Sequence, residues 1–370
     1  MLQGNWQNCC NFAPTNNNLV MDITKEETKQ LKGIAILLML WLHLFSSADM
    51  AAFYTTTLHW LNGAPLAYTL KKWGAMCVAA YAFLGGVGLA ATYAKCVATG
   101  TAMRTFRRFL ALYANLWVVF ILFYPLGCLF NPQLFLASGK EAVLNFFCLQ
   151  YTYNGAWWFL LPYAVITLCS CKLMPWLFAA SPKRVVAGAI LSLVAYVGSH
   201  LGLKYVAVPN EWATLLITLC FNTLLIGFSF LMGAICYKYH LIGRLRNRME
   251  QSTWSVKKKR TVLWGIVCAL ALLKLSLGGS GLINPWFVFL FIPLYCLLPR
   301  SKRIEKVFSY FGQHSTNMWL THYFFFYYIF GQAIYSLRYP VLIYGALVVL
   351  SLTASYVVGW CYAPIRKRIR

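Results

Sequence analysis

The sequence predicts an all-α, polytopic integral membrane protein with about ten transmembrane helices and both termini in the cytoplasm. Three observations carry this. The 370 residues are 60% hydrophobic and only 11% charged, where a soluble domain would carry about a quarter charged. Apolar runs of bilayer-spanning length recur from residue 31 to residue 364. The charges between those runs then alternate strongly from one side to the other.

The runs fall at 31–48, 74–94, 108–130, 156–178, 184–204, 213–238, 261–277, 283–299, 317–336 and 341–364. Pro175, Pro340 and Pro364 lie near segment ends, where helix breakers are expected. Leu58–Leu70 is shorter and mixed, and suits a re-entrant or interfacial piece. Residues 1–24 are polar and Asn-rich over much of their length. They read as a disordered N-terminal extension ahead of one membrane domain, 25–370. The first run has a basic flank and small residues behind it, like a signal peptide. His43 within it, and the comparable runs that follow, argue for a retained helix.

With the N-terminus inside, only Lys71, Lys72, Lys140, Lys204 and Arg338 of the 32 Lys and Arg fall in outer loops, and Lys274 lies within a segment. The net charge of +24 is therefore topological, and nucleic acid is not an expected partner; membrane lipids are. Arg244–Arg260 reads as a lipid-facing basic loop. The thirteen cysteines sit mostly in apolar runs without zinc-type spacing. Cys169 and Cys171 form only a CxC, so no metal site is expected.

A few polar groups stand out against this apolar background. His43 lies inside LKGIAILLMLWLHLF, and an ionisable group there needs a partner or a task. Lys32 stands eleven positions earlier, roughly 16 Å along a helix rising 1.5 Å per residue. That spacing puts Lys32 at one membrane face and His43 near the midplane. Arg104, Arg107 and Arg108 open the third segment. Arg104 and Arg107 are three apart, on one helical face, and guanidinium pairs suit phosphate. The competing reading is plain topology. Ser315, Trp319 and His322 follow i, i+4, i+7 and share a face that should look into the bundle. His314 and Asn317 lie nearby, and Asn317 reads better as a helix–helix hydrogen bond. Trp157, Trp158 and Tyr163, with Asn154 before them, form either an interfacial aromatic belt or a stacking platform for a sugar ring. FLGGVG, Phe83–Gly88, signals close helix packing. Lys274 and His200 read as locally paired or snorkelling groups.

Taken in order, QLKGIAILLMLWLHLF, AYAFLGGVGLA, MRTFRRFLALYANLW, AWWFLLPYAVI and FGQHSTNMWLTHYFF resemble the membrane-bound acyltransferase family 3. These are bacterial O-acyltransferases of surface polysaccharides and related glycans, and the resemblance spans most of residues 29–362. It implies a cytoplasmic acyl-CoA (acetyl-CoA) co-substrate, no tightly bound cofactor, and a glycan or lipid-linked sugar as acceptor across the bacterial cytoplasmic membrane. It implies that His43 is the catalytic histidine, as general base or acyl carrier. Lys32, Arg104, Arg107 and Arg108 would hold the donor, and His322, Ser315, Trp319 and Trp158 would line the pocket. Two positions depart from the pattern: Lys32 replaces the usual Arg, losing the fork geometry, and Gly85–Gly86 replace a motif that often contains Ser. A transporter or flippase of a small polar solute or acylated glycan is the alternative.

Overall fold

The computed structural model describes residues 22–46, 52–56, 58–206, 208–277 and 281–369. They form α1 (Lys25–Leu44), α2 (Leu66–Gly74), α3 (Cys77–Ala98), α4 (Thr105–Phe130), α5 (Pro132–Phe135), α6 (Gly139–Phe146), α7 (Leu160–Ala179) and α8 (Pro182–Tyr205). Then follow α9 (Glu211–Lys238), α10 (Leu241–Gln251), α11 (Val256–Ser276), α12 (Asn284–Leu297), α13 (Lys302–Tyr323), α14 (Gly331–Tyr335) and α15 (Pro340–Ile369). Among the described residues there is no strand, only an isolated bridge between His59 and Pro65. Six helical stretches among them are long and apolar enough to cross a membrane: Leu66–Ala98, Thr105–Phe130, Gly155–Ala179, Pro182–Tyr205, Glu211–Lys238 and Pro340–Ile369. The remaining expected spans are helical too, as α1, α11, α12 and α13. They are shorter or carry more charge, as the Lys257–Arg260 run does at the start of α11.

The outer surface fits an apolar solvent. In α8 the most apolar stretch is only 22% buried within the protein, with Ile190, Leu191 and Val194 exposed. A bare apolar face of this extent is unfavourable in water and natural in lipid.

Close backbone approach sets the interior. A Cβ on Gly33 would lie 2.0 Å from the Phe308 carbonyl oxygen, and one on Gly312 would lie 1.9 Å from that of Lys29. The α1–α13 pair can therefore cross only with glycine at both positions. The same holds between α3 and α9, where Gly86 meets Phe230 and Gly233 meets Phe83 at the backbone. These small-residue crossings stand in for the hydrophobic force that lipid does not supply between helices. Asn115 on α4 donates to Asn317 at 2.7 Å, and Asn317 donates on to the Ser355 carbonyl on α15 at 3.3 Å. Asn317 thus has the structural role expected of it. His314 likewise pairs with Ser355, at 3.0 Å.

One end of the bundle is closed by an ionic network. Glu27 is bonded by Arg246 at 2.6 Å and by Arg300 at 3.3 Å, all three side chains being nearly buried. Burial by itself would raise the Glu27 carboxyl, but the Thr24 and Arg246 hydrogen bonds outweigh it and hold it below the usual carboxylate value. Asp22 pairs with His240 at 2.5 Å and accepts from the Gly243 N–H at 3.1 Å. This end gathers the start of α1, the α9–α10 corner and the α12–α13 connection, the loops grouped together by the charge pattern. At the other end Lys140 pairs with Glu211, Lys72 donates to the Leu275 carbonyl, and Lys274 donates to Asn284, each at 2.5 Å.

Several boundaries differ from the sequence reading. Residues 1–21 lie outside the described residues, but Asp22 and Thr24, assigned to the extension, are held in place: Thr24 caps α1 through a capping box with Glu27. Pro175 and Pro364 lie inside α7 and α15, and Pro340 opens α15. A proline costs a helix one N–H bond, and packed neighbours make that tolerable within a membrane bundle. Leu66–Leu70 opens α2, which leads almost directly into α3. The 317–336 segment is not one helix. It takes the end of α13, then a π-helix at Phe324–Ile329, then α14. The amphipathic first half of α13, capped by Ser301, carries too much charge for a hydropathy window to find.

Candidate active site

A cavity of about 380 Å³ runs inside the bundle between α1, α3, α4, α7 and α13. Lys32, Met39, Leu42 and His43 of α1 form one wall. Cys77, Tyr81 and Gly85 of α3, spaced i, i+4, i+8, form a second, and Ser315, Thr316 and Trp319 of α13 a third. Trp158 and Tyr163 close the remaining side. Lys32 is thus not at a helix end: it lies two turns inside α1, and His43 occupies the last turn rather than the middle. The cavity joins them.

His43 is held from α13. The Tyr323 hydroxyl lies 3.1 Å from its Nδ1, with ring centroids 4.9 Å apart. The His322 ring stands 5.1 Å away. His322 is fully buried, its Nδ1 donating to the Trp319 carbonyl at 2.8 Å. That bond fixes the tautomer and leaves Nε2 a bare acceptor, buried and without a partner among the described residues. His322 therefore makes neither the interhelical hydrogen bond nor a stretch of cavity wall; its ring lies tilted behind that of His43.

The end of α13 is positioned by a short 3₁₀ turn, Gly155–Phe159. Asn154 caps that turn by accepting from the Ala156 N–H at 3.0 Å. Its amide and the Trp157 indole both donate to the Leu320 carbonyl, at 2.8 and 3.0 Å. Trp319 returns the bond to the Ala156 carbonyl at 3.1 Å. Trp157 is fully buried, so it is neither belt nor platform, while Trp158 next to it faces the cavity. The π-helix begins immediately after Tyr323, with the Phe330 N–H reaching back to the Phe325 carbonyl at 2.9 Å. Such changes of winding recur where a helix must aim particular side chains.

The arginines lie outside the cavity wall. Arg104 is the N-cap of α4, with φ −90° and ψ 61°, so it does not share a helical face with Arg107. Both are exposed. Arg108 is the best placed: it donates to Thr92 at 2.6 Å, and its charge bears on both Lys32 and Tyr163 at the cavity. Gly85 keeps the cavity open, since a Cβ there would lie 2.7 Å from the Tyr163 ring. Its partner Gly86 serves packing, as FLGGVG indicated. Among the described residues no three His, Cys, Asp or Glu side chains come together to hold a metal ion.

The sequence reading missed Tyr323 and Tyr81. Tyr81 donates to the Lys32 carbonyl at 3.2 Å and lines the cavity. Its i, i+4 relation to Cys77 and Gly85 was available as a signal; Tyr323 had only its place beside His322.

An all-α membrane bundle with a histidine, a lysine and aromatic hydroxyls around one internal cavity is an arrangement for chemistry inside the membrane. Residues 28–360 match acyltransferase family 3, whose description is an acyltransferase domain. The match covers most of the chain, which belongs to that family and is a membrane acyltransferase. Comparison with curated proteins and with solved structures gives no match.

Proposed function

We propose that this acyltransferase moves a short acyl group, such as acetyl, from cytoplasmic acyl-CoA to a hydroxyl of a cell-surface polysaccharide or glycolipid, in the bacterial cytoplasmic membrane. The observation that carries the reading is the cavity lined by both Lys32 and His43. Its length along α1, roughly 16 Å, suits an extended pantetheine arm. The CoA phosphates would meet Lys32 and Arg108 at one end and the thioester would lie at His43. The end closed by Glu27, Arg246 and Arg300 gathers the basic loops, and the positive-inside rule makes it cytoplasmic. No resident cofactor and no nucleic acid enters this scheme.

His43 acts as general base. Its imidazole takes the acceptor hydroxyl proton as that oxygen attacks the thioester carbonyl. The tetrahedral intermediate collapses, the C–S bond breaks, and the CoA thiolate leaves with the proton returned from His43. Tyr323 holds the ring through Nδ1, leaving Nε2 for the acceptor. Ser315 Oγ and the Tyr81 hydroxyl, which donate to the Gly312 and Lys32 carbonyls at 2.9 and 3.2 Å, give the donor arm a polar wall toward the Lys32 end.

The test is His43→Ala in purified protein supplied with acetyl-CoA and an envelope extract as acceptor. CoA release should fall at least about a hundredfold, the low end for losing general acid–base catalysis, with acetyl-CoA still bound. Turnover near the parental rate in a donor-binding variant would remove His43 from the chemistry and favour the transporter reading.

A further inference from the structure

A second cavity, of about 170 Å³, adjoins the first and shares Ala75, Val78 and Trp158 with it. It opens between α3, α8, α9 and α12, at the end of the bundle where Lys274 meets Asn284. Its volume equals about five or six waters at ~30 Å³ each, enough for one monosaccharide ring.

The chemistry of its wall is distinct. Tyr196, His200, Ser229 and Asn284 are its polar residues, with no carboxylate among them. Lys274 is buried and donates to Asn284 Oδ1, with its ammonium 4.9 Å above the Phe287 ring. That bond commits the Asn284 oxygen and leaves its amide N–H groups without a protein partner among the described residues. Ser229 is 1% exposed, yet its hydroxyl also bonds to no described residue. Trp158 is unusual among its neighbours. The indole N–H groups of Trp157 and Trp319 bond to backbone carbonyls at 3.0 and 3.1 Å, whereas that of Trp158 meets no described acceptor. Donors that face a cavity without a protein acceptor suit a ligand's oxygens, and three of them converge here beside an aromatic face, Ser229 buried and Asn284 and Trp158 half-buried.

We propose that this second cavity is the acceptor subsite and takes a neutral pyranose ring. Trp158 bounds both cavities, and the sugar hydroxyl reaches His43 past its edge. Trp158 stacks on the ring, and Ser229, His200 and the Asn284 amide bond its hydroxyls. Donor and acceptor then enter from opposite ends and meet at Trp158. This rests on the transferase reading above, but the occupancy of the cavity can be measured without turnover.

The experiment uses full-length protein in nanodiscs and an octyl β-D-glucoside bearing a diazirine. Cross-links should map to the Tyr196–His200 and Leu225–Ser229 peptides and be competed by excess methyl α-D-glucopyranoside. Ser229→Trp, or Leu225→Trp should the first unfold, should abolish these cross-links and lower extract-dependent CoA release at least tenfold at limiting extract. Acetyl-CoA affinity should stay within twofold. Ile190→Trp, on the lipid-facing side of α8, is the control and should change neither readout. Cross-links confined to lipid-facing positions, or unchanged in both filled variants, overturn the subsite. Failure of the transferase reading is separate: the parent protein would release no CoA with any envelope fraction, whatever the cross-link pattern.

Discussion

Tyr323→Phe isolates one interaction at the centre of the mechanism. The ring stays, with its contacts to His43 and to Phe326 at 4.9 Å centroid separation. Only the hydroxyl 3.1 Å from His43 Nδ1 is removed. In the resting state this is a bond between neutral groups, worth about 1 kcal/mol. In the transition state His43 gains the acceptor proton, Nδ1–H becomes a charged donor, and the bond is worth about 1.5–3 kcal/mol. Only the difference, about 0.5–2 kcal/mol, acts on kcat, and at tenfold per 1.36 kcal/mol kcat should fall about two- to thirtyfold. Tyr323 is not part of the cavity wall, so KM for acetyl-CoA should hold. The assay is steady-state CoA release at saturating extract, with acetyl-CoA binding measured separately by calorimetry. A second variant, Tyr344→Phe, removes a hydroxyl that bonds the Leu37 carbonyl at 3.1 Å on the same helix but does not touch His43; its kcat should move less than twofold. Equal effects in the two variants, or a Tyr323→Phe enzyme with parental kcat, would refute the positioning of His43 by Tyr323.

Three other perturbations separate cavity, donor site and scaffold. Gly85→Ala should leave melting nearly unchanged but reduce kcat/KM for acetyl-CoA several-fold, because its Cβ presses on the Tyr163 ring; Gly86→Ala, which meets the Phe230 backbone at 1.9 Å, should instead lower the melting temperature or prevent folding. Arg108→Ala should weaken acetyl-CoA binding about tenfold or more, as expected for one charge-assisted bond of about 1.5–3 kcal/mol, and Arg104→Ala by less, measured by calorimetry on folded protein. Glu27→Gln strips the carboxylate from between Arg246 and Arg300 and should cost about 3 kcal/mol, the lower end for breaking a buried pair. Because the folded carboxyl is held below its unfolded value, that stabilisation is full above the unfolded pKa and is lost as pH falls through the folded one. The gap between parent and variant melting temperatures should therefore narrow only in acid; a gap that widens there would invert the assignment.

How much of this was legible in the sequence depends on the range of the interaction. Composition and apolar periodicity report on each segment's contact with lipid, so the all-α membrane class was readable from the chain. The i, i+4, i+7 face of Ser315, Trp319 and His322 was readable because a helix enforces it. What escaped were the features decided between segments. Lys32 could be read from the sequence only as a snorkelling or donor-binding group at a membrane face; that it lines a cavity two turns inside α1 is decided by the neighbouring helices. Arg104 and Arg107 seemed a pair because both were placed on a helix, but the helix starts one residue after Arg104, and Arg108 is brought nearest the cavity. Tyr323 carried no periodic signal, since the α-helix gives way to a π-helix just beyond it.

These misses share a physical cause that bears on the site itself. A hydropathy window averages over a segment, whereas the cavity exists because the averages are broken at single points. Glycines at 33, 86, 233 and 312 bring pairs of backbones within carbonyl contact. Gly85 withholds a side chain where Tyr163 would otherwise be pressed, and the 3₁₀ turn beginning at Gly155 lets Trp157 and Trp319 bond across to each other's segments. Tight crossings on either side of the bundle leave space between them that no side chain fills. His43 lies at one limit of that space and Lys32 at the other. The polar groups needed for chemistry thus find room in the membrane because one set of glycines tightens the scaffold while Gly85, beside one of them, leaves the interior open.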